Sequence, residues 1–269
     1  MKALKDKVQS IFKADVEQTV RHFCHSAGLS TGSQHVRLIG SAGKTIISRD
    51  IDLAVSTNVY NSETIHGRLV DFLGKDLCVL NRGTKIGSYA TPIVGAFPPG
   101  KVQVDIMYVG NLDWAEFIYY SPGDESKYRG SVRAVLLGAV AASICDVSRD
   151  FFSYDNSELI ARAGWTIDPN VGMKRIFQIR FNKIHDSGYV KQMKNITPEE
   201  LQELYPHNTF DHQQYVISDP RRVTELLFGW GTIPNHIDTT EKIIELIKKR
   251  HTVAWHENFL FTTSEHIFR

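Results

Sequence analysis

Three aspartates carry the chemical interest of this sequence: Asp50 and Asp52 in the run DIDLAV, and Asp105 in VQVDIMYV. Residues two apart on an extended strand point to one face, so Asp50 and Asp52 lie together while Ile51 and Leu53 take the opposite side. Val104 and Ile106 flank Asp105 in the same way. Three carboxylates converging on one sheet face repel one another unless a cation sits among them. Hard oxygen donors of this kind suit Mg²⁺, and a shared carboxylate can bridge a two-ion site. Upstream, Gly40-Ser41 ends an apolar run. The N–H groups that follow, with the Ser41 hydroxyl, form an anion cradle at the expected start of a short helix. Cations beside an anion cradle imply phosphoryl chemistry.

These residues need elements to hold them. Leu4, Val8, Ile11, Phe12, Val16, Val20 and Phe23 recur at helical spacing, and Gly28 falls where that helix should stop. HVRLIG (35–40) reads as a buried strand and DIDLAV (50–55) as a second one. A helix follows over 61–73, with Ile65, Leu69, Val70 and Phe72 facing inward. Cys78 to Leu80 and Ile93 to Phe97 are expected as strands, Pro98-Pro99-Gly100 as a turn, and 102–109 as the clearest period-2 segment. Beyond about residue 126 the texture changes. Val132, Val135, Leu136, Ala139 and Val140 form one helical stripe. Met173, Ile176, Phe177, Phe181 and Ile184 suggest another, although 177–181 also alternates. Thr197-Pro198-Glu199-Glu200 and Asp219-Pro220 are helix starts, and 240–250 is a final amphipathic helix with cations at its end. The expectation is an α/β unit, 1–125, followed by a mostly helical one, 126–269.

Composition sets outer bounds. The 269 residues are 42% hydrophobic and 23% charged, ordinary values for a globular chain. Lys plus Arg is 31 against 30 Asp plus Glu, a formal net charge of +1 that argues against a uniformly basic coat. Cys24, Cys78 and Cys145 are scattered and form no C-x-x-C pair, which excludes a zinc ribbon and points to a cytoplasmic setting. The charged N-terminus lacks a signal h-region, and no apolar run approaches the ~20 residues of a spanning helix, so no membrane partner is expected. G-x-G-x-x-G and P-loop patterns are missing, and with them the usual kinase, dehydrogenase and ATPase signatures.

The stretch IGSAGKTIISRDIDLAV, with Asp105 following in VQVDIMYV, resembles the signature of the DNA polymerase β-like nucleotidyltransferase superfamily. The match lies in an apolar residue before Gly-Ser, a spacer, Asp-x-Asp on a strand, and a third Asp on a later strand. It spans roughly residues 35–110, with a slightly shorter Ser41-to-Asp50 spacer than the family usually has. The resemblance implies an α+β fold: a palm-like mixed sheet with flanking helices, ahead of the helical C-terminal domain. It implies that Asp50 and Asp52 hold two Mg²⁺ ions (or Mn²⁺), the second escorting a nucleoside triphosphate. Asp105 would join the first ion and position or deprotonate the attacking hydroxyl, while Gly40 and Ser41 grip the β- and γ-phosphates. The reaction would be in-line attack on the α-phosphate with pyrophosphate leaving.

Basic residues are less distinctive. Lys44 would touch a phosphate from the cradle helix, or serve as a solvated surface lysine. In ESKYRGSVRAVLL, the family habit of a cation on a following helix makes Lys127 the first choice for a triphosphate clamp, with Arg129 beside it. Arg133 reads equally well as a solvated first-turn residue. Segment 171–194 holds Lys174, Arg175, Arg180, Lys183, Lys191 and Lys194 against Asp186 alone. With Phe177, Phe181 and Tyr189 interleaved it suits an RNA or tRNA acceptor, or else is a charged face over its own core. His22-Phe23-Cys24-His25 continues the first helical stripe and reads as packing. The pairs His207/His212 and His251/His256 are wrongly spaced for joint ligation on a helix. Two other outcomes share these residues: a catalytically silent module that binds nucleic acid or protein, and a toxin or defence-type transferase acting on tRNA or protein.

Overall fold

The computed structural model describes residues 4–32, 34–144, 152–153, 160–185, 188–197, 199–200, 203 and 216–249. The chain divides into two units. One comprises Met1–Ala134, Pro169–Val171 and Ile233–Ile244, the other Val135–Asp168, Gly172–Thr232 and Glu245–Arg269. The protein is a mixed α+β structure, and among the described residues no helix is long and apolar enough to cross a membrane.

In the first unit a two-stranded ribbon pairs β1 (Ile11–Phe12) with β3 (Ile47–Ser48). The main sheet has five strands: β2 (Val36–Ile39), β4 (Asp50–Ser56), β5 (Cys78–Asn81), β6 (Ile86–Pro92) and β7 (Lys101–Val109), in the order β2-β4-β7-β6-β5. Only β4 and β7 run parallel; every other neighbour is antiparallel. Period-2 alternation divides the two central strands cleanly. Ile51, Leu53 and Val55 of β4, with Val104, Ile106 and Tyr108 of β7, are buried with Val16 and Phe23 of α1 (Lys13–Ala27) and Ile65 and Leu69 of α2 (Ser62–Leu73). On the other face Ala54, Met107, Val109 and Ile39 pack with Ala115 of α3 (Leu112–Ile118). Asp50, Asp52 and Asp105 belong to this second face by alternation.

Local signals explain several boundaries. Gly28 closes α1 in the left-handed region at φ 70°, where a side chain would be strained. Asn61 caps α2 by accepting from the N–H groups of Glu63 and Thr64. The Thr197–Glu200 capping box forms in both directions, at 3.2 and 2.7 Å. Asp219 caps α5 (Pro220–Phe228), which ends at Gly229, and α6 spans Thr240–Lys249.

Other expectations need correction. The first helix begins only at Lys13, because Ile11 and Phe12 pair in the ribbon. Strand β2 is half-exposed rather than buried, with Leu38 facing outward. No helix follows Ser41: the segment is a turn in which Ser41 O accepts from Lys44 N and Thr45 N, and Gly43 at φ 77° is incompatible with helical continuation. Residues 93–97 are not a strand, since Val94 N is taken by the Thr19 hydroxyl and Ile93 N by Gly100 O. The partner of β5 is instead the small-residue run 86–92. Lys127 and Arg129 precede α4 (Gly130–Ser143) rather than lying within it.

The largest correction concerns the C-terminal half, expected to be mostly helical. Among the described residues it contains β8 (Phe152–Ser153), β9 (Ile160–Asp168), β10 (Gly172–His185), β11 (Gly188–Ile196) and β12 (Val216–Ile217), all joined antiparallel. The stripe from Met173 to Ile184 is therefore strand. Its Ile and Phe content favours that state, and Asp168-Pro169-Asn170 supplies the turn for a hairpin.

Candidate active site

Parallel pairing sets Asp52 beside Asp105 and Asp50 beside Gln103. Adjacent strands are about 4.8 Å apart and alternate residues on one strand roughly 7 Å, so the three carboxylates form one acidic group. Burial pushes the Asp52 carboxyl up to about 7, and the charges of Asp50 and Asp105 add to the rise. Asp50 is raised for the same two reasons, desolvation and then Asp105, while Arg49 and Arg129 pull it down. No hydrogen bond or ion pair reaches the Asp50 or Asp52 side chain among the described residues. Asp105 differs: both of its oxygens accept from Gln103 Nε2 at 2.9 Å. Among the described residues no three His, Cys, Asp or Glu side chains are gathered closely enough to form a ready-made metal cage.

Gly40 adjoins the pair directly. It has φ 70°, and a Cβ built on it would fall 2.3 Å from Asp52 Oδ2. Only glycine lets the backbone approach this carboxylate so closely. A bridge between Gly40 and Tyr120 ties the turn to the segment after α3.

A cavity of about 680 Å³ opens on these residues, lined by Gly40, Ser41, Arg49, Asp50, Asp52, Lys127, Tyr128 and Arg129 among others. That volume suits a nucleotide-sized ligand. Both signs of charge meet in it: Asp50 and Asp52 come from β4, Arg49 adjoins Asp50, and Lys127 and Arg129 lie on the loop before α4. Of the residues singled out from sequence, Asp50, Asp52, Gly40, Ser41, Lys127 and Arg129 line it. Lys44 does not: its ammonium donates to Ser121 O at 3.1 Å and lies 4.3 Å from the Tyr120 ring centre, and burial lowers its pKa. Asp105 shares the acidic face without lining the cavity. Arg133 is 1% exposed. It donates through Nε to Ile237 O and through Nη1 to Phe117 O, both at 2.7 Å, and burial brings its pKa down to about 10. It is a structural brace.

Sequence reasoning missed Gln103, Arg49 and Tyr128. Gln103 is two residues before Asp105 on one strand face, a spacing that could have flagged it. Arg49 and Tyr128 sit next to chosen residues, but nothing in the sequence marks them as cavity-facing. The histidine pairs at 207/212 and 251/256 lie outside the described residues. Of the 171–194 cations, Lys174 is in an ion pair with Asp168 at 2.6 Å, and those beyond Arg175 have side chains outside the described set. His22-Phe23-Cys24-His25 is packing, as expected: Phe23 and Cys24 are fully buried in α1. No protein-family model matches the chain, and no curated protein matches it in sequence.

Proposed function

We propose that the first unit is a divalent-cation-dependent nucleotidyltransferase of the polymerase β-like kind, moving a nucleoside monophosphate from a nucleoside triphosphate to an acceptor hydroxyl. The observation that carries this reading is the acidic group at the cavity's edge: Asp52 is half-buried beside Asp50 and Asp105, and no hydrogen bond or ion pair among the described residues reaches its carboxylate. A group held so far above the usual carboxylate range is a functional-site signature. The mixed sheet supports the reading: Asp50 and Asp52 lie on one strand and Asp105 on its parallel neighbour, compatible with the third Asp on a later strand that the resemblance implies.

The donor set fits Mg²⁺ or Mn²⁺. Asp50 and Asp52 supply hard oxygens with lone pairs not engaged by protein donors among the described residues, and Gly40 lets its backbone pack directly against the Asp52 carboxylate. Such ions, when bound, neutralise charge on the phosphates. The chain's own residues do the rest. Lys127 and Arg129 hold the β- and γ-phosphates, with the backbone after Gly40 and the Ser41 hydroxyl as further donors. Asp105, held by Gln103 behind the cavity wall, adds its charge beside Asp52, and a carboxylate that lines the cavity, Asp50 or Asp52, takes the acceptor hydroxyl's proton as the oxygen–phosphorus bond forms and pyrophosphate departs.

The test is label transfer from α-³²P nucleoside triphosphates with Mg²⁺ and a panel of RNA, tRNA and protein acceptors. Transfer by the wild type, lost in Asp50→Ala/Asp52→Ala, is the expected result. No transfer to any acceptor, or transfer that survives the double variant, overturns the reading.

A further inference from the structure

The loop carrying Lys127, Tyr128 and Arg129 is exposed, yet its backbone is fastened from far along the chain. Glu241, near the start of α6 and 114 residues beyond Lys127, accepts from the Lys127 N–H through Oε1 at 2.9 Å. Its Oε2 accepts from the Ser126 hydroxyl at 2.7 Å. The Ser126 oxygen in turn accepts from Tyr128 N at 3.1 Å. The Ser126 hydrogen bond does most to hold the Glu241 carboxyl below its usual range. Its own N–H, the Lys127 N–H and Thr239 add to this.

Where this carboxylate directs its lone pairs is informative. It lies against a loop bearing an ammonium and a guanidinium, but it bonds to neutral donors: a hydroxyl and backbone N–H groups. Lys127 and Arg129 are left exposed and in no ion pair among the described residues. A loop that must present cations to an anion gains a fixed backbone from Glu241, which takes up neither side-chain charge.

We infer that Glu241 is a positioning residue that organises Ser126–Arg129 as a polyphosphate-binding loop, with the triphosphate of the incoming nucleotide as its ligand. The inference rests on the nucleotidyl-transfer reading for the identity of that ligand. Without the anchor, ordering the loop must be paid from binding energy, so affinity for the polyphosphate falls while the acidic strand ends are untouched.

The test compares wild type, Glu241→Ala, Glu241→Gln, Lys127→Ala/Arg129→Ala and, as a control on the same helix, Glu245→Gln, whose residue pairs with exposed Lys249. Binding of inorganic tripolyphosphate with Mg²⁺ is measured by calorimetry, and melting curves confirm that each variant folds. The expected result is a loss of about tenfold for Glu241→Ala, approaching that of the double cation variant. Partial recovery is expected in Glu241→Gln, whose amide oxygen can still accept, with no change for Glu245→Gln. In turnover, KM for the nucleotide rises while kcat changes by less than about threefold. Tight binding that is lost in the cation variant but kept in Glu241→Ala overturns this inference and leaves the functional reading intact. Wild type that binds neither tripolyphosphate nor a nucleoside triphosphate overturns both.

Discussion

Two carboxylates of the first unit are treated in opposite ways. Glu241 meets donors at both oxygens and is held below its usual range; Asp52 meets other carboxylates and is pushed up to about 7. The first is a settled structural anchor, stabilised by the chain itself. The second destabilises the chain that carries it and is relieved only by something from outside. On the proposed function this contrast gives the two carboxylates different tasks: Asp52 faces a cation, and Glu241 anchors the loop that offers Lys127 and Arg129 to phosphate.

The comparison breaks most sharply at Asp52. Asp52→Asn is expected to cost about 10³-fold in kcat/KM, roughly 4 kcal/mol of transition-state stabilisation, read by single-turnover label transfer. The same substitution should stabilise the cation-free protein. The native pKa of Asp52 lies above its unfolded value, so ionisation penalises the folded state. That penalty is absent below about pH 4, grows as pH rises to about 7, and is constant above. At pH 8 the Asn variant is expected to gain up to about 4 kcal/mol, shrinking towards zero at pH 4, as followed by urea melts. A variant that is less stable than wild type at pH 8 contradicts the assignment.

Arg133→Met sharpens the contrast between engaged and presented cations. It leaves the Phe117 and Ile237 carbonyls without their donor, and a loss of about 3 kcal/mol is expected in denaturant unfolding. Lys127→Ala/Arg129→Ala, by contrast, should leave stability within about 0.5 kcal/mol while weakening nucleotide binding. The smallest effect is expected at Arg82–Glu63, an exposed pair whose removal should leave the urea midpoint of unfolding essentially where it is in the wild type.

The acidic face was legible because its signal is local. Asp-x-Asp on a period-2 strand and Val104-Asp105-Ile106 on another dictate which way the side chains point, whatever the topology. Strand β10 is ambiguous in the sequence because Met173, Ile176, Phe177, Phe181 and Ile184 fit helical spacing while 177–181 also alternates, and pairing with a partner strand decides between them. The turn after Gly40 was misread because Gly43 passes as a tolerated helix residue until its positive φ is known. Glu241 was invisible: its role depends on a contact across 114 residues, and in sequence it is one more acid in the first turn of a helix. Gln103 occupied the middle ground, placed on the right face by alternation but chemically unremarkable until its amide is found on Asp105.

Mn²⁺ binding at pH 8, followed by the loss of the free-ion electron paramagnetic resonance signal, tests the central claim most directly. Wild type is expected to bind Mn²⁺ saturably, more tightly with a non-hydrolysable nucleoside triphosphate present, and Asp50→Asn/Asp52→Asn to lose that binding while remaining folded. Binding unchanged in the double variant, or no binding by the wild type, would contradict the account.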